Sequence, residues 1–165
     1  MRPLNGKTVD PRAESGPATA GGRAVRPPPE KPGVLVVDDE HLVRAMLQLG
    51  LERDGFEVWS AASGREAVDL YREHREDIAV VLLDVRMPGL DGPQTLDALR
   101  ELSPAVVACF MSGNTCPYGP DELRRRGAAC FIAKPFRLDE LADVLRLLAR
   151  GEPADLLPPG GWRQA

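Results

Sequence analysis

The sequence predicts an α/β fold, a doubly wound parallel sheet in a three-layer sandwich, and two observations carry that expectation. Short apolar runs alternate with longer segments of helical period from residue 34 to residue 150. Most of the runs are apolar throughout rather than alternating, which suits strands covered on both faces of a parallel sheet. Five strands alternating with five helices then need right-handed crossovers that lay helices on both sides.

The predicted strands are 34–37, 56–60, 79–83, 105–111 and 130–133. Between the first two, Leu42, Val43, Met46, Leu47 and Gly50 form the stripe of a first helix, which Gly55 ends. Ala67, Leu70, Tyr71 and His74 recur at i, i+3, i+4 and i+7 and predict the second. Leu96, Leu99 and Leu102 make the face of the third. The fourth is short, about 121–126, because Pro117, Gly119 and Pro120 delay its start. Leu138, Leu141, Val144, Leu145 and Leu148 make the strongest apolar face, which Gly151 closes.

Composition sets the boundaries. Of 16 Pro and 16 Gly, residues 1–33 hold 7 and 5, and residues 151–165 hold 3 of each. The remainder, 34–150, has ordinary globular content. The expectation is one domain at 34–150, a disordered Pro/Gly-rich tail at 1–33 with a polyproline stretch near Pro27, and a short C-terminal tail at 151–165. No apolar run approaches the roughly 18–20 residues of a membrane span, and the first residues lack the apolar stretch of a secretory signal. Cys109, Cys116 and Cys130 are an odd number without a C-x-x-C pair, which indicates neither a disulfide framework nor a zinc site. Reduced thiols in the cytoplasm are expected. The net charge of −4 divides into +3 for residues 1–33, −6 for 34–150 and −1 for 151–165, so the domain is a poor electrostatic match for DNA.

In an open α/β sheet, ligands bind outside the carboxyl ends of the strands. After the first predicted strand come Asp38, Asp39 and Glu40, and after the third comes Asp84. Ser112-Gly113 follows the fourth, and Lys134-Pro135 the fifth. Asp38 or Asp39 could equally cap the helix that starts near His41. Taken together, however, clustered carboxylates repel unless a cation joins them. Oxygen ligands from one or two carboxylates, with water for the rest, suit Mg²⁺. A carboxylate beside Mg²⁺, with a hydroxyl and a lysine in reach, is a place to receive a phosphoryl group as an acyl phosphate. The pattern G-x-x-x-x-G-K-[ST] is absent, so the phosphoryl donor is not expected to be ATP held by this domain. His41 and His74 are unclustered and do not suggest metal ligands.

The stretches Val34-Leu-Val-Val-Asp-Asp-Glu40, Leu82-Leu-Asp-Val-Arg-Met-Pro-Gly-Leu-Asp-Gly92, Met111-Ser-Gly113 and Lys134-Pro-Phe136 closely resemble the signature of bacterial response-regulator receiver domains. The resemblance covers about 34–150. It implies a flavodoxin-like sheet of order 2-1-3-4-5 and a phosphoacceptor role in two-component phosphorelay signalling, not turnover of an external substrate. By the same resemblance, Asp84 receives phosphate from a sensor histidine kinase or histidine phosphotransfer protein. Asp39 and Asp84 bind Mg²⁺ directly with the backbone carbonyl of Arg86, and Asp38 acts through water. Ser112 and Lys134 contact the phosphoryl oxygens, Ser112 and Phe131 form the switch, and the Lys134-Pro135 peptide bond is cis. The segment from Asn114 to Pro120 departs from the family's usual fourth-helix start. A phosphatase of related chemistry would want an acid two residues past the nucleophile, where this chain has Arg86. Only 15 residues follow Arg150, so the expectation is a stand-alone switch with an unknown output protein as partner, and neither DNA nor membrane as a target.

Overall fold

The computed structural model describes residues 31–113 and 118–152. The expected disordered tail before residue 31, the C-terminal tail after residue 152, and Cys116, Pro117 and the rest of 114–117 lie outside the described residues. The elements run β1 (Gly33–Val37), α1 (His41–Arg53), β2 (Glu57–Ala61), α2 (Gly64–His74), β3 (Ile78–Asp84), α3 (Gly92–Leu102), β4 (Ala108–Ser112), α4 (Pro120–Arg125), β5 (Cys130–Ala133) and α5 (Leu138–Ala149). All strand pairs are parallel, in the order β2-β1-β3-β4-β5. The expected fold class and strand order are therefore observed.

Alternation along each strand divides the core between the two faces of the sheet. Leu35, Val37, Val81, Leu83 and Phe110 pack on one face with Ala67, Tyr71, Leu96 and Leu99 from α2 and α3. Val34, Val36, Val80, Leu82 and Met111 pack on the other with Leu47 and Leu51 of α1 and Leu141, Val144, Leu145 and Leu148 of α5. Every residue of β1 and β4 is buried, which explains why the central runs are apolar throughout.

Three differences from expectation have local causes. β4 begins at Ala108 rather than residue 105, because Val106 N–H turns back to the carbonyl of Ser103 at 3.0 Å. Phe56 precedes β2 instead of starting it; its N–H donates to the Leu51 carbonyl at 3.0 Å and its ring is buried beside α1. On α1, Leu47 and Leu51 face the core, whereas Leu42 and Met46 point outward. The expected stops hold: Gly55 and Gly151 both have positive φ, 89° and 73°, a region other residues enter at a cost.

The start of α3 fixes the loop that follows Asp84. Asp91 accepts from Gln94 N–H at 2.9 Å while the Gln94 side chain accepts from Asp91 N–H at 3.1 Å, a reciprocal cap. Gly92, the first helical residue, lies so close that a Cβ there would collide with the backbone carbonyl of Asp84 and crowd the Phe110 ring. Gly92→Ala should therefore destabilise the protein by about 1–3 kcal/mol through overpacking. Chemical denaturation should show a lower midpoint with an unchanged slope.

Candidate functional site

Parallel strands all end on the same side, so β1, β3, β4 and β5 deliver Asp38, Asp84, Ser112 and Lys134 to one edge. Among the described residues, the buried polar side chains are Asp38, Asp84, Thr95 and Ser112. Three of these four belong to the predicted site. Buried carboxylates are expensive unless paired, and here one ammonium group pairs both. Lys134 Nζ donates to Asp38 Oδ2 at 2.8 Å and to Asp84 Oδ1 at 2.7 Å.

The outer oxygens of these carboxylates are also engaged. Asp38 Oδ1 accepts from Glu40 N–H at 2.8 Å, and Asp84 Oδ2 accepts from Arg86 N–H at 2.8 Å. The first bond decides the capping alternative: the N-cap of α1 is Glu40, without a side-chain cap, and Asp38 instead holds the turn before the helix. Arg44, which sequence reasoning did not single out, donates to the Asp38 backbone carbonyl at 2.7 Å and pins that turn from the helix side. The Ser112 hydroxyl is buried and donates to the Gly113 carbonyl at 3.2 Å rather than to a carboxylate. Asp39 is exposed, one residue beyond Asp38. Phe131, half-buried in β5, packs with the α2–α3 side of the core, next to its register partner Phe110. The Lys134-Pro135 bond is cis.

Tyr118 is a second residue that sequence reasoning missed. Its hydroxyl donates to Asp91 Oδ2 at 2.7 Å, and the Arg126 guanidinium lies 5.4 Å from its ring centroid. Tyr118 with Val85, Arg86, Met87, Pro88 and Asp91 lines an open cleft of about 360 Å³ beside Asp84. Tyr118 thus ties the segment before α4 to the cap of α3. The Asp91–Gln94 spacing was a visible capping signal, but nothing local in the chain pairs residue 118 with residue 91.

Burial pushes the Asp84 carboxyl above its ordinary value of 3.8; the Lys134 ammonium and Arg86 N–H offset part of this, and Asp38 adds to it. For Lys134, burial pulls downward, but its bonds to Asp38 and Asp84 outweigh that and raise it above 10.5. The linkage signs differ. Asp84 binds its proton more readily folded than unfolded, so it costs stability at neutral pH and the cost is relieved as pH falls through its raised pKa. Lys134 contributes stability that is lost as pH rises through its own raised pKa.

Magnesium fits this donor set. Asp38 and Asp84 share one ammonium, and exposed Asp39 and Glu40 add negative charge at the same edge. Among the described residues, no three His, Cys, Asp or Glu side chains converge to hold a metal by themselves. Mg²⁺ does not need that, since it takes one or two carboxylates and retains water.

A doubly wound sheet with two buried aspartates and a lysine at its carboxyl edge defines a receiver module. The chain belongs to the response regulator receiver domain family, whose model matches residues 34–146. Such domains serve two-component response regulators, generally act as switches rather than enzymes, and bind Mg²⁺ at the phosphorylation site. The chain is 39% identical over 119 residues to the transcriptional regulatory protein PrrA of Mycobacterium bovis, covering 72% of this chain and 50% of the relative. It is 31% identical to sporulation initiation phosphotransferase F of Bacillus subtilis, covering 68% of this chain and 90% of that protein. The solved structure of chemotaxis protein CheY4 from Vibrio cholerae superposes with a TM-score of 0.66 at 31% identity, covering 72% of this chain and 98% of the other. The chain spans about half the length of PrrA. Among the described residues, no helix is long and apolar enough to cross a membrane.

Lys134→Met should lower stability at pH 7 by about 2–4 kcal/mol, because it leaves two buried carboxylates without their shared cation. Asp84→Asn should do the opposite and raise the melting temperature. Scans from pH 7 to pH 4 should show both differences shrinking, as protonation removes the charge that creates them.

Proposed function

We propose that this domain is a Mg²⁺-dependent phosphoacceptor switch, phosphorylated on Asp84 by a histidine kinase or histidine phosphotransfer protein. The observation that carries this reading is the bridging of Asp38 and Asp84 by one lysine at the common edge of the strands. Asp84 Oδ attacks the phosphorus of a phosphohistidine; the new O–P bond forms as the N–P bond breaks, and the freed imidazole takes up a proton. Asp38, Asp39, Asp84 and the Arg86 carbonyl are the oxygen donors available to Mg²⁺, which when bound neutralises phosphoryl oxygens. Lys134 pairs with the phosphoryl group and Ser112 turns its hydroxyl from Gly113 toward it. Asp84 works as its carboxylate, so acceptance falls as pH drops through its raised pKa.

The donor has a docking face beside the site. α1 begins three residues after Asp38, and its Leu42 and Leu49 are 80% and 71% exposed, with Met46 also outward. An apolar stripe of this kind at i, i+4 and i+7 suits packing against donor helices. Output goes through a partner or by passing the phosphoryl group onward, within a domain spanning 34–150. The phosphotransferase relative, matched over 90% of its length, supports a receiver that works without an attached effector.

With Mg²⁺ and acetyl phosphate, wild type should gain one phosphoryl group by mass spectrometry, and Asp84→Ala none. Ser112→Ala should slow the gain about 100-fold, as loss of a transition-state donor does. Leu42→Glu should slow transfer from a phosphorylated kinase about tenfold and leave acetyl phosphate unaffected. No mass gain in wild type would sink the reading in favour of an unphosphorylated docking module.

A further inference from the structure

Two of the cysteines, 21 positions apart in the chain, are brought together by the sheet. Cys109 in β4 and Cys130 in β5 are direct register partners. Residues opposite each other in register share a face, and both thiols lie on the α1–α5 side of the sheet, in the same apolar cluster. Adjacent strands are about 4.8 Å apart, inside the Cα separation of roughly 4.4–6.8 Å that a disulfide accepts. The two thiols make matching contacts: Cys109 Sγ donates to the Phe110 carbonyl and Cys130 Sγ to the Phe131 carbonyl, each at 3.9 Å. Spacing along the chain gave no sign of this pair, because parallel neighbours are joined by a crossover.

The two thiols differ in access. Cys109 is completely buried, whereas Cys130 opens the edge strand and is half-buried. Burial also holds the Cys109 thiol protonated, well above its ordinary pKa of 9.0. A small oxidant therefore meets Cys130 first, and Cys109 waits behind it as the resolving thiol. The consequence reaches the phosphorylation site through the same two strands. Ser112 lies three residues beyond Cys109, and Lys134 four beyond Cys130.

We propose that Cys109 and Cys130 form a reversible cross-strand disulfide with hydroperoxides as oxidant, which locks β4 to β5 and restrains the phosphorylation switch; the second part rests on the receiver reading. Cys130 Sγ attacks a peroxide oxygen and the O–O bond breaks; the thiol proton leaves with the other oxygen as water, or as an alcohol from an organic hydroperoxide, giving a sulfenic acid. Cys109 Sγ then attacks the Cys130 sulfur, the S–O bond breaks, and a second water carries away the Cys109 proton. Two thiols lose two electrons and the peroxide gains them. A dithiol reductant reverses the change by exchange. Directly opposed positions in a parallel pair are not an ideal disulfide geometry, which makes the bond easier to reduce.

The test uses the full chain carrying Cys116→Ser, so that only this pair can link. After hydrogen peroxide treatment and alkylation in denaturant, the protein should lose two hydrogens and both alkylation sites, with peptides containing Cys109 and Cys130 joined. Cys130→Ser in the same background keeps the buried Cys109 and should form no link. The linked form should take phosphate from acetyl phosphate at least about tenfold more slowly, a common size for coupling between sites, and dithiothreitol should restore the rate. Cysteines that stay alkylatable, or a Cys130 that proceeds to sulfinic acid without linking, would overturn the pair. Linking with an unchanged phosphorylation rate would overturn the switch. If the reduced protein also takes no phosphate, the receiver reading fails, and the linkage result alone decides the thiol pair.

Discussion

One ammonium group shared by two buried carboxylates is the constraint on which the site depends. Lys134 reaches Asp38 from β5 and Asp84 from the same position, at 2.8 and 2.7 Å, so three strand ends separated by up to 96 residues meet at one nitrogen. The arrangement is a compromise between folding and chemistry. Burial raises the proton affinity of Asp84, and the Lys134 ammonium offsets part of that rise, favouring the carboxylate that the proposed chemistry needs. The same burial makes the unmodified site costly to fold, which is tolerable because the sheet behind it is completely packed. In the proposed reading, a phosphoryl group on Asp84 would place new negative charge where Lys134 already points, drawing on a cation that the fold holds in place.

The resting structure also indicates where that charge change can be felt. α4 has six residues, and Leu123 is its buried apolar side chain among those described. Other attachments are polar and come from α3. Arg100 donates to the carbonyls of Arg126 and Gly127 at 2.5 and 3.1 Å, Arg126 meets Asp97 at 3.4 Å, and Tyr118 meets Asp91 just before the helix. An element with few apolar contacts and exchangeable polar ones belongs to the low-stability end of a fold. Phe131 is half-buried and packs against the cluster that holds Phe110 and Leu123; it has no hydroxyl to satisfy, so in the proposed switch it would rearrange by packing alone. The Tyr118 hydroxyl, on a neighbouring segment, is bonded to Asp91.

Most of the architecture was legible in the chain because a buried parallel sheet writes itself as uninterrupted apolar runs. Gly55 and Gly151 ended helices where the pattern stopped, and Asp38, Asp84, Ser112 and Lys134 stood at the strand ends where ligands bind. The parts that could not be read have a common physical character. The exposure of Leu42 and Met46 depends on how α1 rolls against the sheet, since Leu47 and Leu51, with Val43 beside them, are the side chains it turns to the core. The late start of β4 depends on a turn at Ser103 that competes with strand pairing. Strand order followed from family resemblance, because periodicity along a chain carries no information about which strands become neighbours.

That last gap matters most for the cysteines. Counting Cys109, Cys116 and Cys130 along the chain argued against a disulfide framework, and the argument holds for a scaffold built by oxidation. It does not address two thiols inside a sheet that is already stable without them. Once β4 and β5 pair, the sheet register sets Cys109 directly opposite Cys130. A bond formed there would also hold the two residues together in the unfolded chain, a constraint of about 3 kcal/mol for a loop of this length. In the folded protein its effect would fall on the relative freedom of β4, which ends at Ser112, and β5, which runs into Lys134, the residues proposed to contact a phosphoryl group. A crosslink between the two strands that carry these residues is suited to regulation, and the sheet register brings its two halves together.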